Sequence, residues 1–117
     1  MRQYWKIGAL LFLAGCAGTP PTDSLSKAEI AINRAIEEGA ADHAPLELRM
    51  ARDKLDAAKK AMNDSDYDVA RRLAEEAAVD ANVAIAKAKS DGARQEAEKL
   101  RQTIEDLRQE SLRRTSR

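Results

Sequence analysis

Tyr67-Asp68-Val69-Ala70-Arg71-Arg72-Leu73-Ala74-Glu75-Glu76-Ala77-Ala78-Val79-Asp80-Ala81-Asn82-Val83-Ala84-Ile85-Ala86-Lys87-Ala88 decides the fold of this chain. Tyr67, Ala70, Ala74, Ala77, Ala81, Ala84 and Ala88 recur at alternating spacings of three and four. That period lines one face of an α-helix. All but the first are alanine, the best helix former, so a partner helix can approach closely. The partner lies just upstream. Leu48, Ala51, Leu55, Ala58 and Met62 hold the same alternation after Pro45, a residue suited to a first helical position. Asn63-Asp64-Ser65 breaks the pattern. So short a break predicts an antiparallel helical hairpin with a coiled-coil-type seam.

A further helix precedes the hairpin. Ser26-Lys27-Ala28-Glu29 reads as a capping box, flanked by Leu25 and Ile30 as a hydrophobic staple, although Asp23 or Ser24 would serve as a slightly earlier cap. Ala28, Ile32, Ala35 and Ile36 form its stripe, and Gly39 suits its C-terminal cap. After Ala88 the old phase would put Asp91, Gln95 and Glu98 in the seam. A new phase starts instead with Ala93, Ala97, Leu100, Ile104 and Leu107. Either the helix ends and restarts at Gly92, or it continues with a kink. The stretch 93–112 carries opposite-charge neighbours such as Glu96–Lys99 and Glu105–Arg108. It reads as a protruding or self-pairing helix, ending in a basic tail, Arg113, Arg114 and Arg117, that is expected to fray. The fold class is therefore all-α: a hairpin or three-helix bundle with an extended C-terminal helix.

The N-terminus has a different character. Arg2 and Lys6 precede an apolar run from Ile7 to Ala14, the layout of a cleaved signal peptide and too short for a spanning helix. Tyr4, Trp5 and Phe12 all lie before the end of that run, and Tyr67 is the only aromatic residue after it. Leu13-Ala14-Gly15-Cys16 closes the run with the only cysteine. This spelling resembles the lipobox of bacterial lipoproteins. The resemblance implies signal-peptidase recognition of Leu13, Ala14 and Gly15, and cleavage before Cys16. It also implies diacylation of the Cys16 thiol and acylation of the new amine, with palmitate among the chains. Cysteine is needed because the thiolate is the nucleophile that forms the thioether. Ala17, rather than aspartate, follows. The resemblance then implies the periplasmic face of the outer membrane, with inner-membrane retention the lesser expectation. The expected organisation is a signal peptide over 1–15, a lipidated N-terminus and linker over 16–23, a hairpin domain over 24–90 and a C-terminal helix over 91–117. The proline- and glycine-containing stretch 17–22 would reach about 20 Å when extended.

Composition excludes more than it assigns. Without Arg2 and Lys6 the chain holds eighteen basic and twenty acidic side chains, a net charge of −2, so nothing attracts a nucleic acid. An acylated Cys16 leaves no thiol for a disulfide. One histidine, His43, sits beside Asp42 in what reads as a solvent-exposed interhelix loop, without a second histidine for a metal site. Asp64-Ser65-Asp66-Tyr67-Asp68, with Glu75, matches part of a calcium loop, but the sixth position is Val69 where the turn needs glycine. These acids read instead as residues favoured by a helix N-terminus. Tyr67 reads as the plug of an alanine-lined hairpin. No nucleophile–base pair or glycine-rich phosphate loop can be assembled, so no enzyme, cofactor, metal or small-molecule substrate is expected.

Ala44-Pro45, Ala51-Arg52, Lys54-Leu55, Ala58, Ala61, Tyr67, Ala70-Arg71, Leu73-Ala74-Glu75, Ala77 and Asp80-Ala81 resemble the "domain of unknown function 4398" of bacterial envelope lipoproteins. With flanks, the resemblance covers roughly residues 24–90. It brings no active site. Some members carry an added peptidoglycan-binding domain resembling that of outer-membrane protein A, which is not expected here. The stretch 66–77 also looks like the turn and second helix of a tetratricopeptide repeat, but one copy of a unit that needs about three reads as shared hairpin physics. The leading expectation is a non-catalytic envelope lipoprotein, structural or adaptor, with a protein partner or a second copy on the C-terminal helix. The alternatives are non-covalent binding to peptidoglycan and a periplasmic holdase. Covalent coupling of the Braun type uses a C-terminal lysine and is not expected of Arg114-Thr115-Ser116-Arg117.

Overall fold

The computed structural model describes residues 18–117. The expected leader, its recognition residues Leu13, Ala14 and Gly15, and the expected lipidation at Cys16 lie outside the described residues. Every regular element among the described residues is helical: α1 (Thr22–Glu37), a single turn α2 (Ala40–His43), α3 (Pro45–Asn63) and α4 (Tyr67–Thr115). No described helix is long and apolar enough to cross a membrane.

The chain enters α1 earlier than the capping box implied. Pro21 is the N-cap, and its carbonyl accepts the Leu25 N–H at 3.1 Å. Proline has its φ fixed and no N–H to satisfy, so Pro20-Pro21 delivers the backbone to Thr22 ready to coil. Asp23 then supplies negative charge to the first turn and pairs with Lys27 at 2.8 Å. Ser26 and Glu29 lie inside the helix. Glu29 reaches across to Lys59 of α3 at 2.7 Å rather than back to Ser26. The staple is absent as well: Leu25 packs on the core while Ile30 is exposed.

Both tight turns use left-handed residues. Gly39 has φ +80° and donates its N–H to the Ile36 carbonyl at 3.0 Å. At the end of α3, Ser65 has φ +61°. Its N–H bonds Met62 O at 3.1 Å, and the Asp66 N–H bonds Ala61 O at 2.9 Å. That bond pair is the Schellman motif. It closes α3 and turns the chain straight into α4, whose N-cap is Asp66.

Cross-helix ion pairs give the directions. Lys54 meets Asp80 at 2.7 Å, and Glu47 meets Lys87 at 2.6 Å, so α3 and α4 run antiparallel. Arg71 donates to the Thr19 carbonyl at 3.3 Å, and Lys89 meets Glu38 at 3.3 Å, so α1 runs parallel to α4. The core between them is Ala28, Ile32 and Ala35 of α1, Leu48, Ala51, Leu55 and Ala58 of α3, and Ala70, Ala74, Ala77, Ala81, Ala84 and Ala88 of α4. Ile85, Ala40 and Ala44 are also buried there, whereas Ile36 is 39% exposed. Alanine contributes little buried area, so packing rests on close approach of the helices rather than on large side chains.

Helix α4 does not stop at Gly92. It runs unbroken for 49 residues, about 74 Å at 1.5 Å per residue. An isolated glycine in a helix interior costs only about 1 kcal/mol, and the following Ala93-Arg94-Gln95-Glu96-Ala97 are good helix formers. The basic tail, expected to fray, is helical as far as Thr115, so Arg113 and Arg114 belong to the last turn of α4. From Ala93 onward every residue is exposed. The helix therefore projects about 35 Å past the other helices.

Candidate functional site

Two features stand out on this scaffold: a junction where α4 leaves the packed helices, and the stripe along its free length.

At the junction His43 is not a free loop residue. It closes the turn α2 and is 26% exposed, with Nδ1 2.8 Å from Oδ2 of Asp91. Asp91 thus occupies the seam position after Ala88. The seam continues through one polar pair before the helix leaves. A shallow groove opens beside it, lined by Glu38, His43, Lys89, Gly92 and Glu96 among others. Its lining charges are mixed, and Nδ1 of its histidine is engaged by Asp91.

The acids read against a calcium loop are dispersed. Asp64 caps α3, Asp66 caps α4, and Asp68 lies in the first turn of α4, 3.4 Å from Arg71. Tyr67 already begins the helix and is half-buried, so Val69 to Glu75 form helical turns rather than a loop around an ion. Among the described residues no group of three His, Cys, Asp or Glu is arranged to hold a metal.

Charged side chains that do interact flank the core. Lys54 is held above its ordinary value of 10.5 chiefly by its hydrogen bond to Asp80. Lys59 is raised by Glu29, and Lys27 by Asp23. Glu47 is held below 4.5, first by the hydrogen bond from Lys87 and then by a backbone hydrogen bond. All of these contacts tie helix to helix or turn to turn.

The free length of α4 presents Leu100, Ile104, Leu107 and Leu112, each 63–65% exposed. The expected pairs Glu96–Lys99 and Glu105–Arg108 do not form. The helix is laced instead by Glu98–Arg101 at 3.9 Å and Glu110–Arg114 at 3.1 Å, with Gln109 donating to Glu105 at 3.4 Å. Within the packed region, Val79 and Val83 are 60% and 50% exposed. They extend the phase of Leu100 and Ile104 backward. Val79, Val83, Ala86, Ser90, Ala93, Ala97, Leu100, Ile104 and Leu107 alternate by four and three without a gap, and all are exposed. At 100° per residue this stripe lies about opposite the buried alanine seam. Helix α4 is therefore two-faced, with alanine toward α1 and α3 and a second apolar line outward.

The phase change after Ala88 marks the second stripe only from Ala93. Its earlier half was signalled by Val79 and Val83 but was masked by the stronger alanine period in the same residues. The His43–Asp91 pair, joining residues 48 apart, had no local signal.

Comparison with curated proteins and with solved structures yields no match. A family model does match, over residues 23–100, from the first turn of α1 to the Leu100 level of α4. That match spans more than half of the chain, and the protein belongs to the family described as Domain of unknown function (DUF4398).

Proposed function

We propose that this protein is a non-catalytic, lipid-anchored envelope protein that works as a structural or adaptor module through helix–helix contact. The observation that carries this reading is the exposed stripe Leu100, Ile104 and Leu107 on a helix that projects beyond the packed region. An apolar line held 63–65% exposed on a rigid rod is a surface awaiting a helix. The polarity of the molecule supports the anchor. The Arg71–Thr19 hydrogen bond puts the chain's entry at the start of α4. Acyl chains on Cys16 would hold that end at the periplasmic face of the outer membrane and send the stripe away from it. Two experiments test the reading. Cys16→Ser should release the protein from membranes under a high-salt wash, and retention would remove the lipid anchor. Crosslinking from position 104 in intact cells should capture a helical partner, and an uncrosslinked residue there would remove the adaptor role.

A second reading, non-covalent association with peptidoglycan, draws on the basic residues Arg108, Arg113, Arg114 and Arg117 gathered at the far end of the rod. Co-sedimentation with purified sacculi that disappears when these arginines are replaced by glutamine would favour it.

A further inference from the structure

Resting on the helix-contact reading above, the geometry points to one occupant for the outward stripe of α4: a second copy of this chain, parallel and in register. Three observations meet here.

The first is the residue order along the stripe. Written as a heptad, Val83, Ser90, Ala97 and Ile104 fall on one of the two core positions, and Val79, Ala86, Ala93, Leu100 and Leu107 on the other. The large pairing at the free end is then β-branched Ile104 with Leu100 and Leu107. β-branched residues at the first position with leucine at the second favour two parallel strands. The small residues from Ala86 to Ala97 let two α4 helices approach closely where they leave the packed region. Because α4 is unbroken through Gly92, the line is straight enough to serve as one seam of four heptads.

The second is the charge on either side. One flank of the free segment is Arg94, Arg101 and Arg108, and the other is Glu96, Thr103 and Glu110. In a parallel in-register pair each flank meets the opposite flank of its partner, offset by five residues. Glu96 then faces Arg101 of the second copy, and symmetry makes this contact twice. An antiparallel pair would set the arginine flank against itself and the acidic flank against itself. Within one chain Arg101 makes only a 3.9 Å contact to Glu98, with 79% and 60% of the two side chains exposed, so it is free to turn. Two like-charged juxtapositions arise, Glu75 with Asp80 and Lys89 with Arg94 of the second copy, and Asp80 is held by Lys54 of its own chain at 2.7 Å. Lys89 is drawn off by Glu38 of its own chain at 3.3 Å.

The third is direction. The parallel arrangement puts Thr19 of both copies at the same end. Two chains anchored in one leaflet need that arrangement, and tethering both raises their effective concentration.

The test uses the full chain in its own membranes under mild oxidation. Ala97→Cys and Leu107→Cys probe the stripe, and Gln95→Cys and Gln102→Cys probe the opposite side of the same exposed segment. The parent chain, carrying only Cys16, sets the background. The stripe positions should give about tenfold more disulfide-linked dimer than the opposite ones, because only they meet across a parallel seam. Glu96→Arg should lower the Leu107→Cys dimer, and adding Arg101→Glu should restore it. Equal dimer from all four positions overturns the proposal, as does a disulfide between Ala93→Cys in one chain and Leu107→Cys in another, which marks an antiparallel pair. Crosslinks from the stripe to a different protein, without homodimer, overturn the second copy and leave the adaptor reading standing. No crosslink from either stripe position overturns both.

Discussion

Nδ1 of His43 lies 2.8 Å from Oδ2 of Asp91, joining the turn between α1 and α3 to the point where α4 departs. The pair closes the far end of the alanine core. His43→Ala should lower stability by about 0.5–1.5 kcal/mol, the range of one partly buried hydrogen bond. Asp91→Ala should cost a similar amount. Urea unfolding of both single variants and the double variant should show that the second change adds little after the first. Full additivity would mean that the contact contributes nothing.

The two left-handed residues should respond in opposite directions to glycine–alanine chemistry. Ser65 holds φ +61° with a side chain attached, a conformation glycine adopts freely. Ser65→Gly should raise the unfolding free energy by up to about 1 kcal/mol, read as a higher urea midpoint with an unchanged slope. Gly39 has φ +80°, and a Cβ there would sit 3.5 Å from Cδ2 of His43. The space is adequate and the backbone is not. Gly39→Ala should therefore destabilise by about 1 kcal/mol, despite alanine's helix propensity.

Gly92 is the contrasting case. It is helical, and a Cβ built on it meets nothing within 4 Å. Gly92→Ala should stabilise α4 by about 0.8–1 kcal/mol and raise the melting temperature of the helical signal. A loss of stability there would show that the chain needs a flexible point at the junction.

The core tolerates volume change in neither direction. Leu55, 7% exposed, is one of its few large side chains, and Leu55→Ala should cost about 2–4 kcal/mol. Ala81 is fully buried between close helices, and Ala81→Leu should cost at least about 1–3 kcal/mol by forcing them apart. Val83→Ala, on the outward stripe, should leave monomer stability within about 0.5 kcal/mol of the parent. Thermal melts of the three variants decide this.

Stability should fall at both extremes of pH. Glu47 has its folded value lowered from 4.5 by Lys87. Its contribution is present above the ordinary carboxylate value and is lost as pH falls through the lowered one. Lys54 and Lys59 have theirs raised from 10.5 by Asp80 and Glu29. Their contribution is complete below that value and is lost as pH rises through the raised one. Melting temperatures should show the acid fall blunted in Glu47→Gln. In Lys54→Arg the alkaline fall should shift upward, since guanidinium stays charged.

Local sequence determined the helices and most of the core. The period that lines up Ala70 to Ala88 comes from 3.6 residues per turn, and so does the one from Leu48 to Ala58. Backbone geometry, which is local, explains why Pro45, Gly39 and the Asn63-Asp64-Ser65 break fall where they do. The expectation of a leader ending at Leu13-Ala14-Gly15-Cys16 rests on charge, apolar length and a resemblance, and it falls outside the described residues. Tertiary structure decided what local rules leave degenerate. Glu29 could cap its own helix or pair with Lys59, and only the nearness of α3 selects the second. Asp91 is wrong for an apolar seam until His43, distant in sequence, arrives beside it. Val79 and Val83 share a helix with the alanine seam, and only the packing of α1 and α3 on one side of α4 turns them outward. Periodicity reports which residues share a face; which face is covered depends on the other helices, and that information is not local.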